Sequence, residues 1–179
     1  MIAKLVILDR DGVINKDSID YIKSPEEWIP IPKSLEAIAR LNHAGFKVVV
    51  ATNQAGVGKG HFSLEQLNAI HQKMRQSLER VGGKLDGVFF CPHTTEFNCK
   101  CRKPLPGLLL EISERLGIDI KHIPVVGDSY RDLQSAWAVG AKGILVKTGK
   151  GLNTLAQYKE MIGNTEVFAD LAAVVEHIL

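Results

Sequence analysis

The run Leu8-Asp9-Arg10-Asp11-Gly12 sets two carboxylates two residues apart at the end of an apolar stretch. Such a pair suits the hydrolysis of a phosphate monoester, which is slow because an anionic ester repels an anionic nucleophile. The reaction needs a positioned nucleophile, a divalent cation, and cationic or hydrogen-bonding groups on the phosphoryl oxygens. Asp9 can attack as the nucleophile and pass through an aspartyl-phosphate that water then hydrolyses. Asp11, held by the turn at Gly12, can be the acid for the departing alkoxide and later the base for water. Asp128, in Gly127-Asp128-Ser129-Tyr130-Arg131-Asp132, can complete an oxygen-rich Mg²⁺ site with Asp9 and the Asp11 carbonyl. Thr52 can donate a hydroxyl hydrogen bond to the phosphoryl group, and Lys103 can neutralise its charge.

A second set of ligating residues lies apart from these. All three cysteines fall in one segment, Cys91-Pro92-His93 followed by Cys99-Lys100-Cys101. An odd number of thiols is a poor disulfide framework and a good metal-site signal. Three thiolates and one imidazole suit tetrahedral Zn²⁺ with every position filled by protein, so the ion is expected to be structural. The competing reading, free thiols around a loop histidine, is the weaker one because no cysteine occurs elsewhere. The cluster runs straight into Arg102-Lys103-Pro104, so a metal-stiffened loop at about 91–101 would place Lys103. The remaining histidines, His43, His61, His71, His122 and His177, are scattered and fit surface or satisfied core roles.

The elements that must position these residues alternate. Apolar runs at Lys4–Leu8, Lys47–Ala51, Gly87–Cys91, Ile123–Gly127 and Gly143–Val146 read as buried strands, with a short sixth at Val167–Phe168. Helical spacing covers Pro32–Ala44, a stretch from the capping-box start Ser63-Leu64-Glu65-Gln66 to about Val81, and then Gly107–Leu116, Tyr130–Val139 and Leu171–Leu179. Strands alternating with helices predict a Rossmann-like, doubly wound α/β fold, a parallel sheet with helices on both faces. Three strands end in Asp9/Asp11, Thr52/Asn53 and Asp128/Ser129, and ligands of such sheets bind at the carboxyl ends of the strands. With 179 residues and neither repeats nor linkers, the chain reads as a single domain, 1–179.

Composition excludes other classes. The formal net charge of +2 is too small to argue for nucleic acid or acidic membranes. Met1 to Leu8 meets Asp9 too early for the apolar region of a signal peptide, and no stretch approaches the roughly 20 apolar residues of a membrane span. A cytoplasmic monomer is the expectation.

In order, Asp-x-Asp-Gly after the first strand, Thr after the second, a downstream Lys, and Gly-Asp-x-x-x-Asp resemble the haloacid dehalogenase-like phosphatases. The resemblance spans residues 5–132. Val13 departs from it, where many members carry Thr, at a position that supports the loop. It implies that Asp132 supports the site while Asp128 ligates, and the lack of a large insertion implies no cap domain. A zinc loop ahead of Arg-Lys-Pro is similar to the branch acting on histidinol phosphate and on heptose bisphosphate. Asp9–Asn15, Thr52–Gly56, Cys101–Gly107 and Gly127–Ser129 look closer to the heptose family, which implies a sugar-bisphosphate substrate on the route to ADP-heptose and lipopolysaccharide. By that resemblance Asp17, Asp20 and Tyr21 lie in a substrate loop, Asn53 and Gln54 follow suit, and Arg102 helps recognise the sugar phosphate.

Three rivals are weaker. A phosphorylatable Asp with nearby Thr and Lys also builds receiver-type signalling domains, but those lack an acid two residues on, as Asp11 is here. A zinc-bearing nucleic-acid module would want a basic, aromatic face. Gly56-Val57-Gly58-Lys59-Gly60 lacks P-loop spacing and has Gly60 where a Ser or Thr would meet Mg²⁺; Lys59 reads instead as a basic contact near the site.

Overall fold

The computed structural model describes residues 3–179. Met1 and Ile2, the start of the apolar run weighed as a signal segment, lie outside the described residues.

Every expected strand forms: β1 (Leu5–Leu8), β2 (Lys47–Asn53), β3 (Gly87–Cys91), β4 (Pro124–Gly127), β5 (Lys142–Val146) and β6 (Glu166–Phe168). They make one sheet in the order β3-β2-β1-β4-β5-β6, parallel at every pairing. This is the doubly wound order whose direction reverses beside β1, so a crevice opens at the carboxyl ends of β1 and β4. The helices are α1 (Ser34–His43), α2 (Ala55–Gly58), α3 (Leu64–Glu79), α4 (Gly107–Leu116), α5 (Tyr130–Ala138), α6 (Gly151–Gln157), α7 (Lys159–Ile162) and α8 (Leu171–Ile178).

The continuous apolar strands are explained by burial on both faces. Val6 and Leu8 of β1 join a core with Ile38 of α1, Ile70 and Met74 of α3, and Val174 of α8. Their neighbours Leu5 and Ile7 join a separate core with Leu108 and Ile112 of α4 and Ala136 of α5. With a side-chain period of two, an alternating sequence could fill only one of these cores. The chain between β1 and β2 holds α1 and a short 3₁₀ turn, and that between β2 and β3 holds α2 and α3. That leaves the strand ends under loops alone, as expected of a capless fold.

The capping box of α3 forms as the sequence predicts. Gln66 N–H donates to Ser63 Oγ and Ser63 N–H to Gln66 Oε1, although the helix stops at Glu79, short of Val81. The run around Gly56–Gly60 is no phosphate loop. Gly58 closes α2, its N–H donates to Pro92 O at 2.9 Å, and a Cβ there would stand 2.6 Å from that oxygen. Glycine is needed for close packing against the start of the cysteine loop.

Candidate active site

Strand ends bring the expected residues into one cavity of about 380 Å³. Asp9 leaves β1 and donates its N–H to Val126 O of β4, locking the two strand ends together. The chain then turns at Gly12, whose φ is +83°, and Gly12 N–H meets Asn15 O. A Cβ on Gly12 would fall 2.0 Å from Asp128 Oδ2, so only glycine lets the β1 loop lie against the β4 carboxylate. Asp128 Oδ2 accepts the N–H of Lys150 at 2.8 Å.

Lys103 is the hub. Its Nζ, 5% exposed as a residue, donates to Asp9 Oδ1 at 3.0 Å, to Ala51 O at 2.8 Å and to Asp132 Oδ1 at 2.5 Å, using all three protons. Asp132 is fully committed as well. Its Oδ2 accepts from the N–H and the hydroxyl of Ser129, capping α5. Asp132 therefore anchors Lys103, the supporting role the sequence implies. The ligand oxygens of Asp9, Asp128 and Asp132 lie within 4.8 Å of one another. The Asp11 carboxylate is outside this group.

Asp11 is gripped from three sides. Arg10 Nε and Nη2 reach Oδ1 at 3.1 and 2.9 Å, Asn15 Nδ2 reaches Oδ1 at 2.9 Å, and Gln54 Nε2 reaches Oδ2 at 2.8 Å. Arg10 itself is wholly buried. A charged residue at that position would ordinarily be read as solvated, and sequence reasoning missed it. Gln54 Nε2 also donates to Thr52 Oγ1 at 3.0 Å, which leaves the threonine hydroxyl hydrogen free for another acceptor.

These contacts set the acidities. Burial pushes the Asp9 carboxyl up to about 6, with Asp132 and Asp11 adding to it and Lys103 opposing. Burial and the neighbouring Asp132 and Asp9 carry Asp128 to about 8. Burial also raises Asp11, but Arg10 and the bonds from Asn15 and Gln54 outweigh it and hold that carboxyl below the ordinary range. Lys103 is pushed up: its burial is overcome by Asp132 and Asp9. Two carboxylates that resist ionisation beside each other form a donor set to which a divalent cation fits.

The substrate-loop residues divide. Asp17, Tyr21, Asn53, Gln54 and Arg102 line the cavity, while Asp20 is exposed and does not. Tyr21 stacks on His61 at 5.2 Å. Asn53 turns its amide to the chain: Nδ2 donates to Lys103 O and Oδ1 accepts Lys103 N–H, both at 3.0 Å. Asn53 and Gln54 thus position Lys103, Asp11 and Thr52. Ser129, Arg131 and Lys150 also line the cavity, and Lys150 pairs with Asp17 at 3.2 Å. The presence of Lys150 gave no sequence signal, since it follows β5 in a stretch without a motif.

The cysteine loop closes beside this site. The ligand atoms of Cys91, His93, Cys99 and Cys101 lie within 4.8 Å of one another. Cys91 Sγ stands 3.6 Å from His93 Nδ1, 3.6 Å from Cys99 Sγ and 3.0 Å from Cys101 Sγ. A tetrahedral ion with ordinary Zn–S and Zn–N bonds would hold such atoms about 3.6–3.8 Å apart; the two 3.6 Å spacings match this, and the Cys91–Cys101 spacing is shorter. Burial raises Cys99, but bonds from the Arg102 backbone and the other three side chains prevail and bring it to about 6, favouring the thiolate. Phe97 stacks on His93 at 4.1 Å.

A parallel sheet with a nucleophile-type aspartate at its switch point, a buried lysine and a second acid after β4 defines a haloacid dehalogenase-like hydrolase. Comparison with known proteins agrees. The family model described as "Polynucleotide kinase 3 phosphatase" matches residues 4–136, and that described as "HAD-hyrolase-like" matches residues 100–174. A protein of Bordetella bronchiseptica named D-glycero-beta-D-manno-heptose-1,7-bisphosphate 7-phosphatase is 52% identical over 98% of both chains. One of the same name from Pseudomonas aeruginosa is 50% identical over 100% of this chain and 99% of its own. The crystal structure of D,D-heptose 1,7-bisphosphate phosphatase from B. bronchiseptica, complexed with magnesium and phosphate, superposes with a TM-score of 0.93 at 51% identity, covering 98% of this chain and 97% of that one. The chain belongs to the haloacid dehalogenase-like phosphatases and, among them, to the family of the heptose-bisphosphate 7-phosphatases.

Proposed function

We propose that this chain hydrolyses the 7-phosphate of D-glycero-D-manno-heptose 1,7-bisphosphate, on the route to ADP-heptose and the lipopolysaccharide core. The observation that carries the reading is the convergence of Asp9, Asp11, Thr52, Lys103 and Asp128 in one cavity, in a chain about half identical to enzymes named for that reaction. Those relatives are named for the β anomer, so the β-bisphosphate is the substrate to assay first.

Asp9 is the nucleophile. Lys103 holds its Oδ1, leaving Oδ2 with no hydrogen-bond partner among the described residues. As the Asp9 oxygen bonds to phosphorus, the bond from phosphorus to O7 breaks, and Asp11 gives its proton to O7. The resting Asp11 is ionised; a phosphoryl dianion arriving beside it raises its proton affinity, so Asp11 takes up a proton from solvent water as substrate enters, and this is the proton it gives to O7. Water then attacks the aspartyl-phosphate, the Asp9–phosphorus bond breaks, and Asp11 takes the proton of that water. Thr52 donates its free hydroxyl hydrogen to a phosphoryl oxygen. Asp9, Asp128 and the Asp11 carbonyl would hold Mg²⁺, which when bound offsets the negative charge of carboxylates and phosphate.

Arg102, Asp17 and Tyr21 form the wall that meets the sugar, with Asp20 outside it. Cys91, His93, Cys99 and Cys101 would hold a structural Zn²⁺ that fixes this wall. Residues 1–179 act as one domain and as a monomer in this reading. No helix among the described residues is long and apolar enough to cross a membrane, in keeping with a cytoplasmic site of action. The test is phosphate release measured side by side on the β-bisphosphate, histidinol phosphate and simple sugar phosphates. Clear preference for the bisphosphate is expected, and preference for histidinol phosphate would overturn the substrate while keeping the chemistry.

A further inference from the structure

The acid/base residue is held by a side chain that is itself buried, which raises the question of what holds that one. Arg10 is among the largest fully buried side chains of the protein. Its Nε and Nη2 face Asp11, and its third nitrogen, Nη1, stands 3.1 Å from His71 Nε2. A guanidinium only donates, so His71 Nε2 accepts and the imidazole proton sits on Nδ1. His71 is 6% exposed, on the core face of α3 with Leu67, Ile70 and Met74, and Phe90 of β3 tilts against its ring at 6.0 Å. Burial and the Arg10 charge drop its basicity to about 3, keeping the ring the neutral acceptor this contact needs.

We infer that His71 is a positioning residue for Asp11, acting through Arg10. His71 does not line the catalytic cavity, so it does not meet substrate itself, and its one polar contact toward the site is the Arg10 guanidinium. The chain Asp11–Arg10–His71 runs from the cavity into the core and ties the β1 loop to α3, sixty-one residues away from Arg10. A guanidinium gripping a carboxylate by two nitrogens fixes its plane, and the bond on Nη1 fixes the guanidinium in turn. The Ser63–Gln66 capping box sets where α3 begins, and with it where His71 falls. A displaced Asp11 would still lie near the substrate, so binding should survive while proton transfer suffers.

The inference rests on the phosphatase reading above, and the experiment separates the two. Wild-type protein is first shown to release phosphate from the bisphosphate; no release would fail the phosphatase reading itself. His71→Leu and His71→Gln are then compared by steady-state kinetics, by acid quench for aspartyl-phosphate, and by thermal melting. Misplacing a reacting group can cost up to about 100-fold, so His71→Leu should lose roughly 10–100-fold in kcat with KM held within about twofold. Phosphoenzyme should accumulate, because its decay needs Asp11. Glutamine offers an amide oxygen to Nη1 and should recover most of the lost kcat. A purely structural role would lower the melting temperature of both variants and leave kcat per folded molecule at the wild-type value. That result, or equal loss in the two variants, overturns the inference. Should His71→Leu not fold, Arg10→Lys replaces it, with the same loss of kcat at retained KM expected and wild-type phosphoenzyme decay as the contrary result.

Discussion

The carboxylates of Asp9, Asp128 and Asp132 are set by strand ends and the first turn of α5, whereas of the soft donors only Cys91 ends a strand, β3, and His93, Cys99 and Cys101 follow along a loop with one 3₁₀ turn. The first cluster contains its own cation, Lys103, which bonds two of its three acids. Among the described residues no cation pairs with a donor atom of the second, although Arg102 Nη1 donates to His93 O at 3.3 Å. Hard oxygen donors on rigid strands keep their geometry with or without a metal. Soft donors on a loop have no such scaffold, and an ion bound there contributes directly to the fold. The two regions are joined by Lys103, two residues after Cys101, and by Asn53, which clamps the Lys103 backbone to the end of β2.

The largest effect should come from the oxygen cluster. Asp9→Asn removes the nucleophile, and turnover is expected to fall on the order of 10⁴-fold or more with the fold intact, as judged by kinetics and circular dichroism. Substantial activity in the presence of Mg²⁺ would refute the assignment. Stripping zinc, or Cys99→Ser, should act at a distance: outer groups that orient a site typically cost tenfold or more, so turnover should drop roughly tenfold. The melting temperature should fall too, while Asp9 still accepts a phosphoryl group. Elemental analysis of undamaged protein that finds no zinc would break this half of the comparison. Asn53→Ala removes two hydrogen bonds worth about 1 kcal/mol each, and should lower stability by that order and turnover several-fold by freeing Lys103.

The last effect is confined to acid and vanishes at neutral pH. His71 in the folded protein binds its proton only near pH 3, against about 6.5 when unfolded. Between those values the unfolded chain holds more protons, so stability is full above about 6.5 and is lost as pH falls toward 3. His71→Gln should flatten that part of a stability–pH curve measured by chemical denaturation.

Much of this was written plainly in the chain. β3 and α4 form over the spans the periodicity marks, because runs buried on both faces and helices facing one core leave strong patterns. The Asp9 and Asp128 positions were legible because strand ends carry them, and Lys103 because it directly follows the cysteine segment. What stayed hidden depends on tertiary contact. α6 and α7 are too short to hold as isolated helices, and Leu155 and Ile162 cluster with Leu145 of β5. Arg10 reads as a surface charge until its two partners, Asp11 and His71, are seen. Asn53 and Gln54 read as substrate-side residues, and only distances reveal that their amides also bond Lys103, Asp11 and Thr52. Lys59 does lie near the loop, over the Tyr21 ring at 5.6 Å, but does not line the cavity.

The central claim is a transient phosphoenzyme on Asp9 whose decay depends on Asp11. Its most direct test is rapid acid quench of Asp11→Asn with the β-bisphosphate, followed by mass analysis of the peptide carrying Asp9. Proton-transfer groups contribute roughly 10²–10⁴-fold, so the phosphorylated peptide should build up and decay slower than wild type by that order. A phosphoenzyme that decays at the wild-type rate, or phosphate found on any other residue, would contradict the account.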